Sequence, residues 1–493
     1  MAIPNILLIS TCCLRADHMS CYGYHLDTTP NITRLVTEGT IFEQAYSTSC
    51  WTPPAHASLV TGLYPSCHGA FHGICINDSV PTMAELLGKL GYYTIGFVDN
   101  GHMGSLTRSD RGFHEFYEVG QRHGVKTKNF LDTMRSVARQ HMPLTTAVWR
   151  KLKQVNKNIS KEIGLVDDGA HRTTLRIIEW LKTYKQQKQP FFMLLCYNEM
   201  HPPFGVPHPY KYRYLSHPIW QVNWPKIQKI NNNPYWYITG IVSTKAQDFE
   251  VLKALYDAQS YYVDKWLGQL FDYMQRSDIT DNTLIIFTSP HGYNIGEHGL
   301  GGLQGCLYET LVHVPLIMRY PDVVPPGLRI RNLVQLTDIL PTILEIAGGN
   351  PSELKLQGYS LLPIQPNNIY REYVIAERSE AQPPPQLLQV IRSSGQNFDP
   401  ERFRRFTSTL RMIRQGDYKC ICGPDDNEEL FNLISDPNEL HNLATQEPQR
   451  TRAMAAKLKK WLGSFEHRTS ELEEPDKIEQ SILEHLREMG YRI

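Results

Sequence analysis

The sequence has no excess of charge of either sign: Lys+Arg and Asp+Glu each count 50, for a formal net charge of zero. Such a balance gives neither the basic footprint of a nucleic-acid binder nor a polybasic membrane patch. No run approaches the roughly 18 uninterrupted apolar residues that a membrane-spanning helix needs, so neither nucleic acid nor membrane is expected as a partner. The opening segment, Met1-Ala-Ile-Pro-Asn-Ile-Leu-Leu-Ile-Ser10, has no basic region and no small-residue cleavage site. It reads as a buried strand, not a signal peptide. Cysteine is sparse for the length, ten in 493 residues, too thin for a disulfide framework. Free thiols and a cytoplasmic location are therefore expected. Cys420 and Cys422 stand too close together to make a zinc knuckle by themselves.

What the chain does have is alternation. Apolar strand-like runs fall at Asn5 to Ser10, Tyr93 to Val98, Phe191 to Tyr197 and Thr283 to Thr288. Helical patterns lie between them at Thr82 to Leu90, Thr173 to Tyr184 and Leu252 to Gln275. Short apolar runs with helical spacers imply an α/β fold with a mainly parallel sheet, flanked by helices. In such sheets ligands sit outside the carboxyl ends of the strands. The stretch from about 120 to 240 is irregular and aromatic, with a basic segment near Arg150 to Lys161, and reads as an insertion or lid. Two domains are expected: residues 1–365, carrying that insertion, and a smaller subdomain at 366–493. The second begins loop-rich, with a linker at Pro383-Pro384-Pro385, hairpin character around Asp417-Tyr418-Lys419 and a charged terminal helix.

Four segments in order resemble the sulfatase family of the alkaline-phosphatase superfamily. The first runs from Pro4-Asn-Ile-Leu-Leu-Ile-Ser through Leu14-Arg-Ala-Asp-His-Met-Ser-Cys-Tyr-Gly-Tyr24. The second is Ser49-Cys-Trp-Thr-Pro-Pro-Ala-His-Ala-Ser-Leu-Val-Thr-Gly62. The third is Asp281-Asn-Thr-Leu-Ile-Ile-Phe-Thr-Ser-Pro-His-Gly-Tyr-Asn-Ile-Gly-Glu-His-Gly299, and the fourth is Glu429-Leu-Phe-Asn-Leu-Ile-Ser-Asp-Pro-Asn-Glu-Leu-His-Asn-Leu443. The resemblance implies a large N-terminal α/β domain bearing the site and a C-terminal subdomain with a short antiparallel sheet and a helix. It also implies transfer of sulfuryl or phosphoryl groups off small esters, with a divalent metal and a nucleophile at a helix N-terminus.

Against that pattern the site positions are altered. The nucleophile position, a Cys matured to formylglycine or a Ser in the family, reads Thr52, with Cys50 out of register. Thr52 serves either as a direct nucleophile needing activation or as a helix N-cap. Substrate contacts are expected from His56, where the family carries Arg, and from Asn100 and His102, in place of its Lys-x-His. His201, in Met200-His-Pro-Pro-Phe204, matches a family turn. Arg15, Asp17 and Glu297 read as structural. The carboxylates that would hold calcium or magnesium are replaced by Cys12-Cys13 after the first strand and by Pro290-His291 after the later one. A hard-cation site is therefore expected to be lost. Three readings stay open. The protein keeps only the fold, as a binding or scaffold protein. Alternatively Cys12 or Cys13 with His291, joined by His201 or His102, holds zinc. Or a metal-free Cys12 or Cys13 is itself the nucleophile, assisted by histidine. The expected pocket comprises Cys12, Cys13, Thr52, His102, His201, Pro290 and His291: Thr52, Cys12, His102 and His201 catalytic, His56, Asn100 and Cys13 on substrate, His291 and Cys12 on zinc.

Overall fold

The computed structural model describes residues 3–71, 75–119, 169–184, 189–238, 240–303, 305–379, 408–424 and 427–468. Strands in the main sheet are β1 (Asn5–Thr11), β2 (Thr40–Tyr46), β3 (Tyr93–Val98), β4 (Glu115–Glu118), β5 (Phe191–Tyr197) and β6 (Thr283–Thr288). A two-stranded ribbon, β7 (Asn294–Ile295) with β8 (Gly301–Gly302), precedes β9 (His313–Arg319) and β10 (Leu328–Gln335). The helices that matter here are α1 (Pro30–Thr37), α2 (Thr52–Thr61), α3 (Met83–Lys89), α4 (Ala170–Tyr184), α5 (Trp224–Asn232), α6 (Ala246–Arg276), α7 (Ile339–Ile346) and α8 (Pro448–Leu462).

The eight strands lie in the order β10-β2-β9-β6-β1-β5-β3-β4. All neighbours are parallel except β9, which runs antiparallel to both β2 and β6. The four runs read from sequence are β1, β3, β5 and β6, and three of them match residue for residue. They are largely apolar and buried because helices cover both faces. Two apolar cores follow: Leu7, Ile9, Ile285 and Phe287 face one, Ile6, Leu8, Leu284 and Ile286 the other. Thr82 caps α3 by accepting from the Glu85 amide, while the Glu85 carboxylate accepts from the Thr82 amide, a reciprocal start signal.

The span 120–240 is not one insertion. β5 lies within it and pairs with β1 and β3 in the middle of the sheet, and α4 packs on α6. The basic segment near Arg150 to Lys161 lies outside the described residues, as does the Pro383-Pro384-Pro385 linker. What remains as an excursion is the aromatic stretch around α5, tied back by the Asn231 side chain to the Phe204 backbone at 2.7 Å in both directions.

The smaller unit is a four-stranded antiparallel sheet, β11 (Tyr373–Arg378), β12 (Leu410–Gln415), β13 (Tyr418–Cys422) and β14 (Glu428–Asn432), covered by α8. Its β11 abuts the segment leading into α2. The Glu377 amide donates to the Thr48 carbonyl at 2.8 Å, and the Ser49 hydroxyl to the Glu377 carbonyl at 2.7 Å.

Candidate functional site

Parallel strands end together, so whatever follows them converges. Ser10 on β1 lies level with Cys196 on β5 and with Thr288 on β6. The next residues are Cys12-Cys13, Asn198 to His201 and Ser289 to His291. Asn100 and His102 follow β3, and the chain after β2 enters α2 at Thr52 on the same side.

At the centre is a hydroxyl–imidazole pair. Thr52 Oγ1 lies 2.9 Å from His291 Nε2. His291 Nδ1 lies 2.9 Å from the Gly292 carbonyl, an acceptor only, so Nδ1 carries the proton and Nε2 has the lone pair. The Thr52 hydroxyl must then donate to Nε2. Thr52 is the first residue of α2 rather than its cap: Trp51 is the cap and makes no side-chain capping bond. The capping reading of Thr52 is thereby set aside. The helix start is also poorer in donors than a typical anion cradle. Pro53 and Pro54 have no N–H, and the Ala55 amide is spent on the Trp51 carbonyl at 3.3 Å. Thr52's own amide and the helix dipole remain.

One turn on, His56 shares the face of Thr52. It is 1% exposed, and both its ring nitrogens are without a hydrogen-bond partner among the described residues. Burial, with a smaller push from His291, drives its pKa down to about 3. His201 and His291 meet edge to face at 6.1 Å between ring centres. His201 Nε2 is likewise buried without a partner among the described residues. Burial lowers its pKa to about 3, helped by His291 and His102, and lowers that of His291 to about 4. All three imidazoles are neutral at pH 7.

The two cysteines part company. Cys13 joins the core that holds Tyr197, Tyr256 and Tyr293, and Cys12 joins the other. Cys12 Sγ lies 3.6 Å from Cys196 Sγ and accepts from Asn100 Nδ2 at 3.4 Å. Cys12, expected as nucleophile and zinc ligand beside His291, therefore points away from that histidine. Asn100, expected on substrate, is likewise spent on Cys12 and on the Asn198 side-chain oxygen at 3.0 Å. Cys13 takes the place foreseen for its neighbour. It adopts a left-handed backbone, φ 65°, held where Tyr256 donates to the Cys13 carbonyl at 2.7 Å and accepts from the Arg15 amide at 2.8 Å. Burial pushes the Cys13 thiol pKa up. Cys13, His201 and His291 each offer a ligand atom, and the three atoms lie within 4.8 Å of one another. Arg15 pairs with Asp17 and Glu297 at 2.7 and 2.9 Å and bears the loop up, as expected for structural residues.

A hard divalent cation does not fit these residues. The strand ends that would supply carboxylates present two thiols, a proline and an imidazole. Two carboxylates missed in the sequence do follow strands, Asp99 after β3 and Glu199 after β5. Their adjacency to strand ends was the available signal. Both crowd Gly169, at the head of α4: a Cβ there would fall 1.8 Å from Asp99 Oδ2 and 2.8 Å from Glu199 Oε1. A 15-residue helix N-terminus favours negative charge nearby.

With this geometry in view, the comparisons place the chain. A family model described as Sulfatase matches residues 4–349, and the chain belongs to the sulfatase family. An Escherichia coli (strain K12) protein named as the uncharacterized sulfatase YidJ is 24% identical over 90% of this chain and 83% of its own length. Arylsulfatase K of Canis lupus familiaris is 26% identical over 92% and 82%. In fold the chain is similar to the phosphonate monoester hydrolase of Agrobacterium radiobacter, with a TM-score of 0.67, 22% identity, and coverage of 93% and 95%. These relatives are consistent with the hydrolase class. Among the described residues no helix is long and apolar enough to cross a membrane.

Proposed function

We propose that the protein is a diverged sulfatase-family hydrolase or transferase in which Thr52 replaces the usual modified nucleophile, acting on small esters of a tetrahedral oxoanion without calcium or formylglycine. The observation that carries this reading is the 2.9 Å contact from Thr52 Oγ1 to the unprotonated Nε2 of His291. An alcohol is a weak nucleophile and needs such a partner. As Thr52 Oγ bonds to phosphorus or sulfur, the bond to the ester's leaving oxygen breaks. The hydroxyl proton passes to His291, and protonated His291 then gives it to the leaving oxygen. Water then releases the group from Thr52. Neutral His56 faces the transferred group from one turn along α2, His102 follows β3 on the same side, and the helix dipole favours the group's charge. All ten cysteines are free thiols, which supports a reducing, cytoplasmic setting.

The test is a panel of aryl phosphate, phosphonate and sulfate esters assayed with wild type, Thr52→Ala and Thr52→Ser. Turnover is expected in wild type, loss of about 10²-fold or more in Thr52→Ala and retention in Thr52→Ser. Equal rates in wild type and Thr52→Ala would sink the reading.

One observation favours a second reading, a catalytically silent binding protein. Thr52 is 2% exposed and His291 fully buried. The cavity beside His201, lined by Pro202, Phe204 and Tyr293, holds only about 10 Å³, room for one water. A larger cavity of about 160 Å³, lined by Lys226, Ile227, Asp248 and Val251, includes none of the site residues. A panel without turnover by wild type decides for this reading.

A further inference from the structure

We infer that Cys13, His201 and His291 form a binding site for one borderline-soft divalent cation, zinc by its ligand chemistry, where the fold would otherwise hold a hard cation. The argument begins with the donor set. One thiol sulfur and two imidazole nitrogens are proper ligands for zinc and poor ones for calcium or magnesium. Three protein ligands with a fourth position open is the arrangement of catalytic rather than structural zinc.

Geometry supports it next. The three ligand atoms lie within 4.8 Å of one another. Zinc with ligands at about 2.0–2.3 Å holds them roughly 3.3–3.8 Å apart, so a contraction of about one ångström closes the set. Each ligand is held from behind. The Gly292 carbonyl fixes His291 through Nδ1, the outer-shell bond by which metal-bound imidazoles are oriented. Tyr256 pins the Cys13 carbonyl. His201 sits on a turn closed by its own amide donating to the Asn198 carbonyl at 3.1 Å. The independent sign of a missing ligand is His201 Nε2, a buried nitrogen with no hydrogen-bond partner among the described residues; such groups are rare unless something is meant to fill them.

Seating the ion releases the Cys13 proton to solvent. It also takes the one lone pair on His291 Nε2 that the Thr52 hydroxyl uses, so His291 accepts the Thr52 proton only in the metal-free protein, and the two readings describe different metal states of one site. The fourth position then faces Thr52 Oγ1, which lies 2.9 Å from that nitrogen. Metal uptake is measured without substrate, so its failure leaves the Thr52 nucleophile standing, and failure of Thr52 leaves the metal site standing.

The experiment titrates metal-stripped full-length protein with zinc against a chromophoric chelator, with calcium in parallel, and repeats the titration with cobalt to read its spectrum. One zinc per chain is expected, with calcium giving no competing uptake. Cys13→Ser, His201→Ala and His291→Ala should each weaken zinc by about tenfold or more, whereas Cys12→Ser and Cys422→Ser keep wild-type affinity. The cobalt form should show a thiolate-to-metal charge-transfer band that Cys13→Ser abolishes. Half-buried His201 is the variant least prone to misfolding, and circular dichroism checks each. Absence of stoichiometric zinc, or zinc affinity untouched in both Cys13→Ser and His201→Ala, overturns the inference.

Discussion

At Thr52 the outcome turns on which nitrogen of His291 bears the proton, and the Gly292 carbonyl decides that. A fourth neutral imidazole, His68, supports the helix that carries Thr52. His68 is fully buried, accepts at Nδ1 from the Ala70 amide at 3.2 Å and donates from Nε2 to the Pro54 carbonyl at 3.2 Å, in the first turn of α2. Burial lowers its pKa from 6.5 to about 3. Below pH 6.5 the unfolded chain binds a proton that folded His68 refuses, so stability falls as the pH drops from 6.5 toward the folded value. Each such group contributes a slope of about 1.4 kcal/mol per pH unit. We expect urea midpoints to fall on acidification from pH 7 to 5, and His68→Gln to show a shallower dependence than wild type; parallel curves would contradict this. The residue-scale reading of the sequence was weakest here. That Cys12 or Cys13 lay by His291 was legible, but which of the two was not. The choice depends on where the strand ends and the left-handed turn at Cys13 begins.

Among the elements, α2 carries Pro53 and Pro54 in its first turn and stops at Gly62, since proline suits a first turn and glycine the left-handed C-cap. What local pattern could not supply is how helices are capped from a distance. α1 has no capping side chain of its own. Asp264 from α6 does that work: its Oδ1 accepts from the Ile32 amide at 2.8 Å and its Oδ2 from the Asn31 amide at 3.0 Å. The two residues stand 232 positions apart, beyond any local signal. The close approach also explains Gly268, one turn further along α6, where a Cβ would meet Asn31 Oδ1 at 2.4 Å. Replacing Asp264 by alanine should cost about 1–2 kcal/mol in chemical denaturation, with hydrogen exchange rising at Asn31 and Ile32 first. Unchanged exchange there would contradict the cap.

For the molecule as a whole, the sheet was legible because buried parallel strands are continuously apolar and bounded by helical spacers. The span 120–240 misled because β5 is embedded in irregular, aromatic chain, and composition averaged over the stretch hid a seven-residue run already recognisable by itself. The junction of the two units was not legible at all, since it rests on charges far apart in sequence. Lys419 on β13 is fully buried and pairs with Glu309 at 3.0 Å and Glu439 at 2.8 Å. Removing one partner of a buried set strands the other charges, a loss of about 3–5 kcal/mol. Lys419→Met should therefore lower stability by that order in urea, and a change below about 1 kcal/mol would contradict the junction's importance. The central claim concerns Thr52, and the most direct test is rapid quenching of wild type with a slowly hydrolysed phosphonate or phosphate ester, followed by peptide mass spectrometry. The account predicts one transferred group per chain, on the hydroxyl of Thr52; the same group found on Cys12, Cys13 or a histidine instead would contradict it.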